Sequence, residues 1–480
     1  MESALFLTVI LVYFLVLLGV AYYTSRNANN ETFFIGNKSS HWALVAFGMI
    51  GTSLSGVTFV SVPGTVEFAK FSYFQVVIGY FIGYFVVAFV LLPLYYRLKL
   101  TSIYNYLGQR FGMASYKTGA IFFIISRTLG ATLRLYLVIN VLQIFVLNQL
   151  GINFHTTTLI ILLMILLYTF KGGVKTIVWT DTLQTFFMLL ALVVCVFYIM
   201  DDLHMSFTET LSSLGDSGHL QVFNFDVLDK KYFIKQVIGG AFITIAMTGL
   251  DQEMMQKNIS VKTLGGAQKN MVLFSSVMVL VNFLFLLLGG VLYLYATSKG
   301  ITVKGDDLFP TIALSHLPVW VSLIFIIGLI SALFPSADGA ITALTSSFCL
   351  DILGIQRNKN LSEVQQSNTR KMVHLGFAFL FLLMVYYFKI LNNKSIIGIL
   401  LDIAGYTYGP LLGLFAFGIL TKHQVKDLYT PVVCILSPLL CYLFQNFMPA
   451  YMGWTYQIGI ELLVLNGALT FFGLWLIKKD

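Results

Sequence analysis

The sequence predicts an all-α polytopic membrane protein of about thirteen transmembrane helices. Three observations carry this. Of 480 residues, 58% are hydrophobic and only 10% charged, whereas soluble domains carry about 25% charged residues. Mean hydropathy is +0.84. Apolar residues fall into runs long enough to cross a bilayer, which takes about 20, and polar loops divide them.

The expected helices begin near residues 4, 41, 73, 118, 156, 176, 233, 271, 318, 372, 396, 429 and 455. The first, Ala4 to Tyr23, is too long for a signal-peptide core, and no small-residue cleavage site follows it. It reads as a retained span. The second, GMIGTSLSGVTFVSVPGTVEF (48–68), holds Gly48, Gly51, Gly56, Pro63 and Gly64 in one apolar segment. That is the pattern of a discontinuous helix, whose break frees backbone groups near the midplane; close packing through small residues is the alternative. The fourth holds Arg127 and Arg134, seven residues apart on one face. A buried guanidinium needs a carboxylate, supplied by Asp181 or another acid of the protein, or by a solute.

The sixth span opens GGVKTIVWTDTLQT (172–185), where Asp181, Gln184 and Thr185 share a face. Asp181 lies about 10 Å in from the cytoplasmic end. The seventh, GGAFITIAMTGLDQEMMQK (239–257), carries Thr244, Thr248, Gly249 and Asp251 and comes five spans after the second. Two interrupted segments at matching places in two five-span halves mark an inverted-repeat transporter. The ninth, ISALFPSADGAITALTSS (330–347), places Ser331, Asp338, Thr342 and Thr345 at spacings of 7, 4 and 3, one helical face. Pro335 shares that stripe and removes a backbone donor; Ser336 is one residue round. Such a stripe is costly in hydrocarbon and must face the bundle or a hydrated cavity. Released carbonyls, hydroxyls and a carboxylate are oxygen ligands that suit a hard cation; interhelical hydrogen bonding with a proline kink is the alternative.

An odd number of spans puts the termini on opposite sides. Nineteen Lys and Arg, among them Arg26, Lys38, Lys171, Lys257, Lys359, Lys478 and Lys479, fall on one face; eight, among them Lys70, Lys304 and Lys394, fall on the other. The positive-inside rule then places the C-terminus in the cytoplasm and the N-terminus outside a plasma (inner) membrane. It also accounts for the net charge of +8 without nucleic acid, since no basic cluster interleaved with aromatics occurs. Cys195, Cys349, Cys434 and Cys441 lie in expected spans and read as small apolar packers. The seven histidines fall at loops or span ends and make no metal set or triad. The outer loop from Asp201 to Lys231 reads as a lid or surface hairpin. No GxxxxGK[ST] pattern occurs, so ATP is not the expected energy source.

PLYYRLKLTSIYNYLGQRFG (93–112), GGVKTIVWTDTLQ (172–184), DQEMMQKNIS (251–260) and the ninth-span stretch through Asp351 resemble the sodium:solute symporter family, over nearly the whole chain. The resemblance implies an extra N-terminal helix (4–23), inverted five-helix repeats at 41–200 and 233–420 in the LeuT-like fold, and two C-terminal helices (429–477). It also implies alternating access coupled to Na+. Carried over residue by residue, the main sodium site would use carbonyls of Gly51, Leu54 and Ala332, with its hydroxyl positions on Pro335 and Ser336. Pro335 lacks the oxygen but frees the carbonyl of Ser331 one turn back. A second sodium site beside Asp181 would have its hydroxyl positions on Asp338 and Gly339. A carboxylate at 338 could strengthen a cation site or bind a proton, since two neighbouring buried acids raise one pKa.

The second span is closest to the sialic acid branch of that family, whose substrate-facing hydroxyls fall on Ser53, Ser55 and Thr58. That branch holds the substrate carboxylate with an arginine on the fourth span. Counted without gaps from WTD, it is Arg134; a four-residue shift would remove the match. The polar contact of the third span falls on Tyr80, with Gln75 about a turn away, and the seventh span offers Thr244 and Thr248. The monocarboxylate, iodide and vitamin branch shares the VP ending, and the sugar branch's contacts are poorly kept.

The expected function is therefore Na+-coupled import of a small polar solute, with a carboxylate such as sialic acid or a monocarboxylate first and a sugar or other neutral solute as the alternative. A membrane enzyme using Asp181, Asp251 and Asp338 would want a nucleophile or metal set that is not found. A sensor would want an attached signalling module, and two broken helices favour alternating access over a passive channel. Expected partners are Na+, the solute and the lipid bilayer, with no nucleic acid. The sequence sets no oligomeric state and is compatible with a monomer.

Overall fold

In a computed structural model the described residues are 2–26, 33–34, 36, 40–358, 360–391, 396–447 and 458–479, the side chains at 2, 3, 171, 172, 396 and 397 excepted. The expected start of a span at 455, together with Lys38, Lys359 and Lys394, lies outside the described residues, as does the side chain of Lys171.

The chain runs α1 (Glu2–Ser25), α2 (Trp42–Ser53), α3 (Gly56–Ala69), α4 (Tyr73–Arg97), α5 (Asn105–Arg110), α6 (Met113–Leu142), α7 (Phe154–Phe170), α8 (Gly173–Asp202) and α9 (Phe207–Asp216). It continues through α10 (Phe233–Gly249), α11 (Gln252–Ile259), α12 (Leu264–Lys299), α13 (Leu308–Ser315), α14 (Val319–Ile352) and α15 (Glu363–Leu391) to α16 (Ile396–Leu420), α17 (Thr430–Asn446) and α18 (Leu462–Leu476). Among the described residues nine helices are long and apolar enough to cross a membrane, or eleven when each bent pair counts as one span. The two pairs are α2–α3, bent by 56°, and α10–α11, bent by 64°. The expected thirteen is reached only if the shorter apolar helices α7 and α18 cross as well.

Each bend has a local cause. Helix α2 stops at Ser53, and Leu54 and Ser55 leave helical geometry, with Ser55 extended at φ −84°, ψ 175°. Gly56 resumes the chain against α6, where a Cβ would lie 2.0 Å from Val138 Cγ2. Only glycine allows that approach. The last α2 carbonyls, Gly51 to Leu54, thereby lose the partners a continuing helix would give them. The second bend follows a π-turn, Ile245–Gly249. Asp251 restarts the helix by accepting from the backbone N–H of Glu253 (2.9 Å) and Met254 (3.2 Å). The carbonyls left open here are filled: Tyr95 donates to Gly249 O and Tyr104 to Leu250 O, both at 2.8 Å. A third break, at Gly173 (φ 56°), separates α7 from α8.

Small residues let the spans close on one another. A Cβ on Gly79 of α4 would lie 2.2 Å from Val237 O, and one on Gly240 of α10 would lie 2.3 Å from Val76 O. The segment between α8 and α10 contains α9, started by a capping box of Ser206 and Glu209. It settles on the bundle through Leu214, packed against Gly290, and through Phe71 N–H donating to His219 O at 3.1 Å.

The ninth-span stripe on α14 faces the bundle, not a lipid surface. Ser331 pairs with Tyr13 of α1 (2.7 Å), Asp338 accepts from Tyr168 of α7 (2.7 Å), and Thr345 meets His374 of α15 (3.1 Å). His374 is correspondingly buried, though the sequence put it at a span end. The larger correction concerns Lys257. Counted among cytoplasmic loop cations, it is 2% exposed on α11, every residue of which is buried. A polar octet (QEMMQKNI) reads as a loop when the charges it meets on other helices are out of sight.

Candidate functional site

The first bend and the second face each other across a cavity of about 110 Å³. Ser53, Ser55 and Thr58 line it from α2 and α3, Tyr80 from α4, Arg134 from α6, and Thr244 and Thr248 from α10. Seven of the eight expected solute contacts are thus brought together. Gln75 is the exception. It is fully buried, its amide donates to Ser72 O (3.1 Å) and Lys231 O (3.3 Å), and its oxygen accepts from Asn224 N–H (3.2 Å). Those bonds hold the segment between α9 and α10, and the side chain does not line the cavity.

Tyr73, Tyr84 and Asn282 also line the cavity and were not anticipated. Tyr73 shares a 3.3 Å hydrogen bond with Tyr80, and Tyr84 sets its hydroxyl against Thr248, Ser53 and Thr244. Aromatic residues in an apolar span carry no pattern that separates a cavity wall from packing, which is why the sequence did not single them out.

The two α6 arginines differ in what they meet. Arg127 is ion-paired with Glu253, and Asp251 lies 4.0 Å from it. Asp181, the partner the sequence offered, is engaged elsewhere. Arg134 has no ion-pair or hydrogen-bond partner among the described residues; its Nε is buried and its side chain borders the cavity. A guanidinium presents five donors in a plane that matches a carboxylate.

Around the first bend, Gly51 of α2 packs on α8, where a Cβ would lie 2.3 Å from Thr185 Oγ1. On α14, Ser336 lies buried with its hydroxyl 3.5 Å from Ala332 O, a weak intrahelical bond that leaves the oxygen available. Pro335, also on α14, has no N–H to give Ser331 O. The described groups therefore fit a hard cation: open α2 carbonyls at Gly51 and Leu54, and a proline-released carbonyl and the Ser336 hydroxyl on α14.

The surroundings of Asp181 are different. Its Oδ2 accepts from Lys257 Nζ at 2.6 Å and from Thr52 Oγ1 at 3.0 Å. The same ammonium lies 2.6 Å from Thr52 Oγ1 and 3.4 Å from Glu253 Oε1. Glu253 occupies the space beside Gly339, where a Cβ would lie 2.2 Å from its Oε1. Asp338 meets Tyr168 and its neighbour's N–H instead. Lys257, Glu253 and Thr52 were missed from sequence. The one signal was the i, i+4 placing of Glu253 and Lys257, a pairing that also occurs on countless solvated helices.

The chain matches the sodium:solute symporter family over residues 33–426. It belongs to that family. Among relatives of this symporter, the sodium/sialic acid symporter NanT of Aliivibrio fischeri is 22% identical over 84% of the chain and 80% of that protein. SiaT of Proteus mirabilis, a sodium/sialic acid symporter, is 22% identical over 88% of the chain and 86% of that protein. Mouse sodium-coupled monocarboxylate transporter 1 is 28% identical over 83% of the chain, covering 66% of its own longer sequence. In structure, the chain resembles a substrate-bound, outward-open Na+-coupled sialic acid symporter with a TM-score of 0.85 at 19% identity, covering 100% of the chain and 99% of that one. Mhp1, a nucleobase-cation symporter in a closed conformation, gives 0.58 at 13% identity over 94% of the chain and 95% of its own. The fold of this symporter is thus the LeuT-like one.

Proposed function

We propose that this protein is a sodium-coupled secondary active symporter importing a small solute that bears a carboxylate, sialic acid and monocarboxylates being the leading candidates. The observation that carries the solute class is Arg134, a buried guanidinium bordering a cavity with no acid of its own to meet. In so dry a place a charge is retained only with a partner. A solute carboxylate would supply it, and the hydroxyls of Ser53, Thr58, Thr244 and Thr248 would take the solute's polar groups.

Sodium coupling is supported by the family and by the fit of the main site. Gly51 and Leu54 on one side of the bend and Ala332, Ser331 and Ser336 on α14 would hold Na+, which would supply charge that favours one arrangement of α2 against α14. Because the α2 carbonyls and the solute hydroxyls belong to the same bend, ordering one orders the other, and that is the coupling. One Na+ crossing 100 mV gains about 2.3 kcal/mol, which a monovalent anion carried with it gives up, and a tenfold Na+ gradient adds about 1.4 kcal/mol. The protein would sit in the plasma (inner) membrane, N-terminus outside and C-terminus in the cytoplasm.

Uptake into proteoliposomes tests this. An inward Na+ gradient should drive accumulation of radiolabelled N-acetylneuraminate, lactate or pyruvate, and an equal choline gradient should not. Accumulation of glucose or proline with none of the acids would overturn the solute class.

A further inference from the structure

The second sodium site implied for the neighbourhood of Asp181 does not fit the groups found there. Its central carboxylate oxygen already holds Lys257 Nζ at 2.6 Å, and the ammonium's other contacts are Thr52 Oγ1 at 2.6 Å and Glu253 Oε1 at 3.4 Å. These are three donors for three oxygens. The hydroxyl the site wants at 339 is absent, and Glu253 has moved into the room beside that glycine. Asp338, the other expected ligand, bonds Tyr168 at 2.7 Å.

We propose that the ammonium of Lys257 permanently occupies the second cation position, so that this symporter carries one Na+ per cycle. Three placements act together. Gly339 opens space on α14, Glu253 fills it and brings a second carboxylate to Lys257, and Arg127 balances the other oxygen of Glu253. Lys257 is tethered to α11 and cannot leave for the cytoplasm as an ion does. It keeps α8, α2 and α11 joined at a place where a mobile cation would join them only while bound. One Na+ with a monovalent carboxylate moves no net charge, so uptake would draw on the Na+ concentration gradient and be indifferent to membrane potential.

The inference rests on the sodium-coupled reading, and binding of ²²Na+ to the purified protein without solute separates the two. The wild type is expected to bind one Na+ per chain. Two would overturn the tethered-ammonium proposal and leave sodium coupling standing; none would overturn both. Lys257→Gln removes the charge and should raise the number to two, while Lys257→Arg should keep it at one. A folded Lys257→Gln protein that stays at one would also overturn the proposal. Should that variant not fold, the wild-type number decides, together with the response to an imposed diffusion potential. Carboxylate uptake should change less than twofold between 0 and −100 mV, and a several-fold rise would contradict the proposal.

Discussion

Arg127 and Arg134 stand seven residues apart on one face of α6, and only Arg127 is matched, by Glu253 and Asp251 of the second bend. The same side chain two turns apart has two tasks. Both border the cavity; Arg127 fastens the bend to α6, and Arg134 has no partner among the described residues. Arg127→Ala should therefore be a folding defect, because it removes the guanidinium that Glu253 and Asp251 face, leaving Glu253 to Lys257 at 3.4 Å and Asp251 to the Tyr408 hydroxyl and two backbone N–H groups; breaking a buried ion pair costs about 3–5 kcal/mol. Loss of monodisperse protein in detergent, or a melting temperature lowered by many degrees, is the expected result. Arg134→Gln should melt at or above the wild-type temperature and lose acid uptake by tenfold or more.

Ser336→Ala removes a side-chain oxygen from the proposed main sodium site while leaving α14 intact. The Na+ concentration for half-maximal uptake should rise about tenfold, the equivalent of about 1.4 kcal/mol, with little change in stability. An unchanged Na+ dependence would remove Ser336 from the site.

Tyr104 and Tyr95 close the carbonyls of the second bend. Tyr104→Phe leaves Leu250 O buried without a donor and should cost about 1–3 kcal/mol, read as a lower midpoint in a thermal or denaturant melt. Asp427 offers a control remote from the cavity. Its carboxylate accepts the N–H groups of Ala114 and Ser115, both at 2.8 Å, at the start of α6. Asp427→Ala should cost about 0.5–2 kcal/mol and leave the apparent affinities for Na+ and solute unchanged.

Asp306, in the loop between α12 and α13, gives a pH signature. Burial pushes its carboxyl up to about 6 from an ordinary 3.8. The folded state thus holds the proton more tightly than the unfolded one. The sign follows directly: this group lowers stability as pH rises from about 4 to about 6, and the full cost, up to about 3 kcal/mol, persists above that. Asp306→Asn should raise the melting temperature at pH 7 and flatten the profile between pH 4 and 6.

Much of the fold was legible because its elements are written in one dimension. Apolar runs gave the spans, glycine with hydroxyls gave the first bend, and Gly249–Asp251 gave the second. The polar stripe through Ser331, Asp338 and Thr345 was legible as a stripe, but its partners Tyr13, Tyr168 and His374 lie on other helices and leave no mark in the local pattern. The cavity hydroxyls followed from the resemblance, as did Arg134. Gln75 was misplaced because a turn of helix separates a cavity wall from a loop anchor. Lys257 was misplaced because hydropathy alone reads a charge as solvated, whereas its ammonium is solvated by Asp181, Thr52 and Glu253.

The central claim is that a carboxylate solute and Na+ bind this protein together through Arg134. The most direct measurement is the melting temperature of purified wild type and Arg134→Gln with N-acetylneuraminate, lactate and pyruvate, in sodium and again in choline. Ligand that binds only the folded state stabilises it by RT ln(1 + [L]/Kd), about 2.7 kcal/mol at a hundredfold excess over Kd. The account predicts an upward shift with at least one acid, in sodium only, and none in Arg134→Gln. An equal shift in choline, or one that survives in Arg134→Gln, would contradict it.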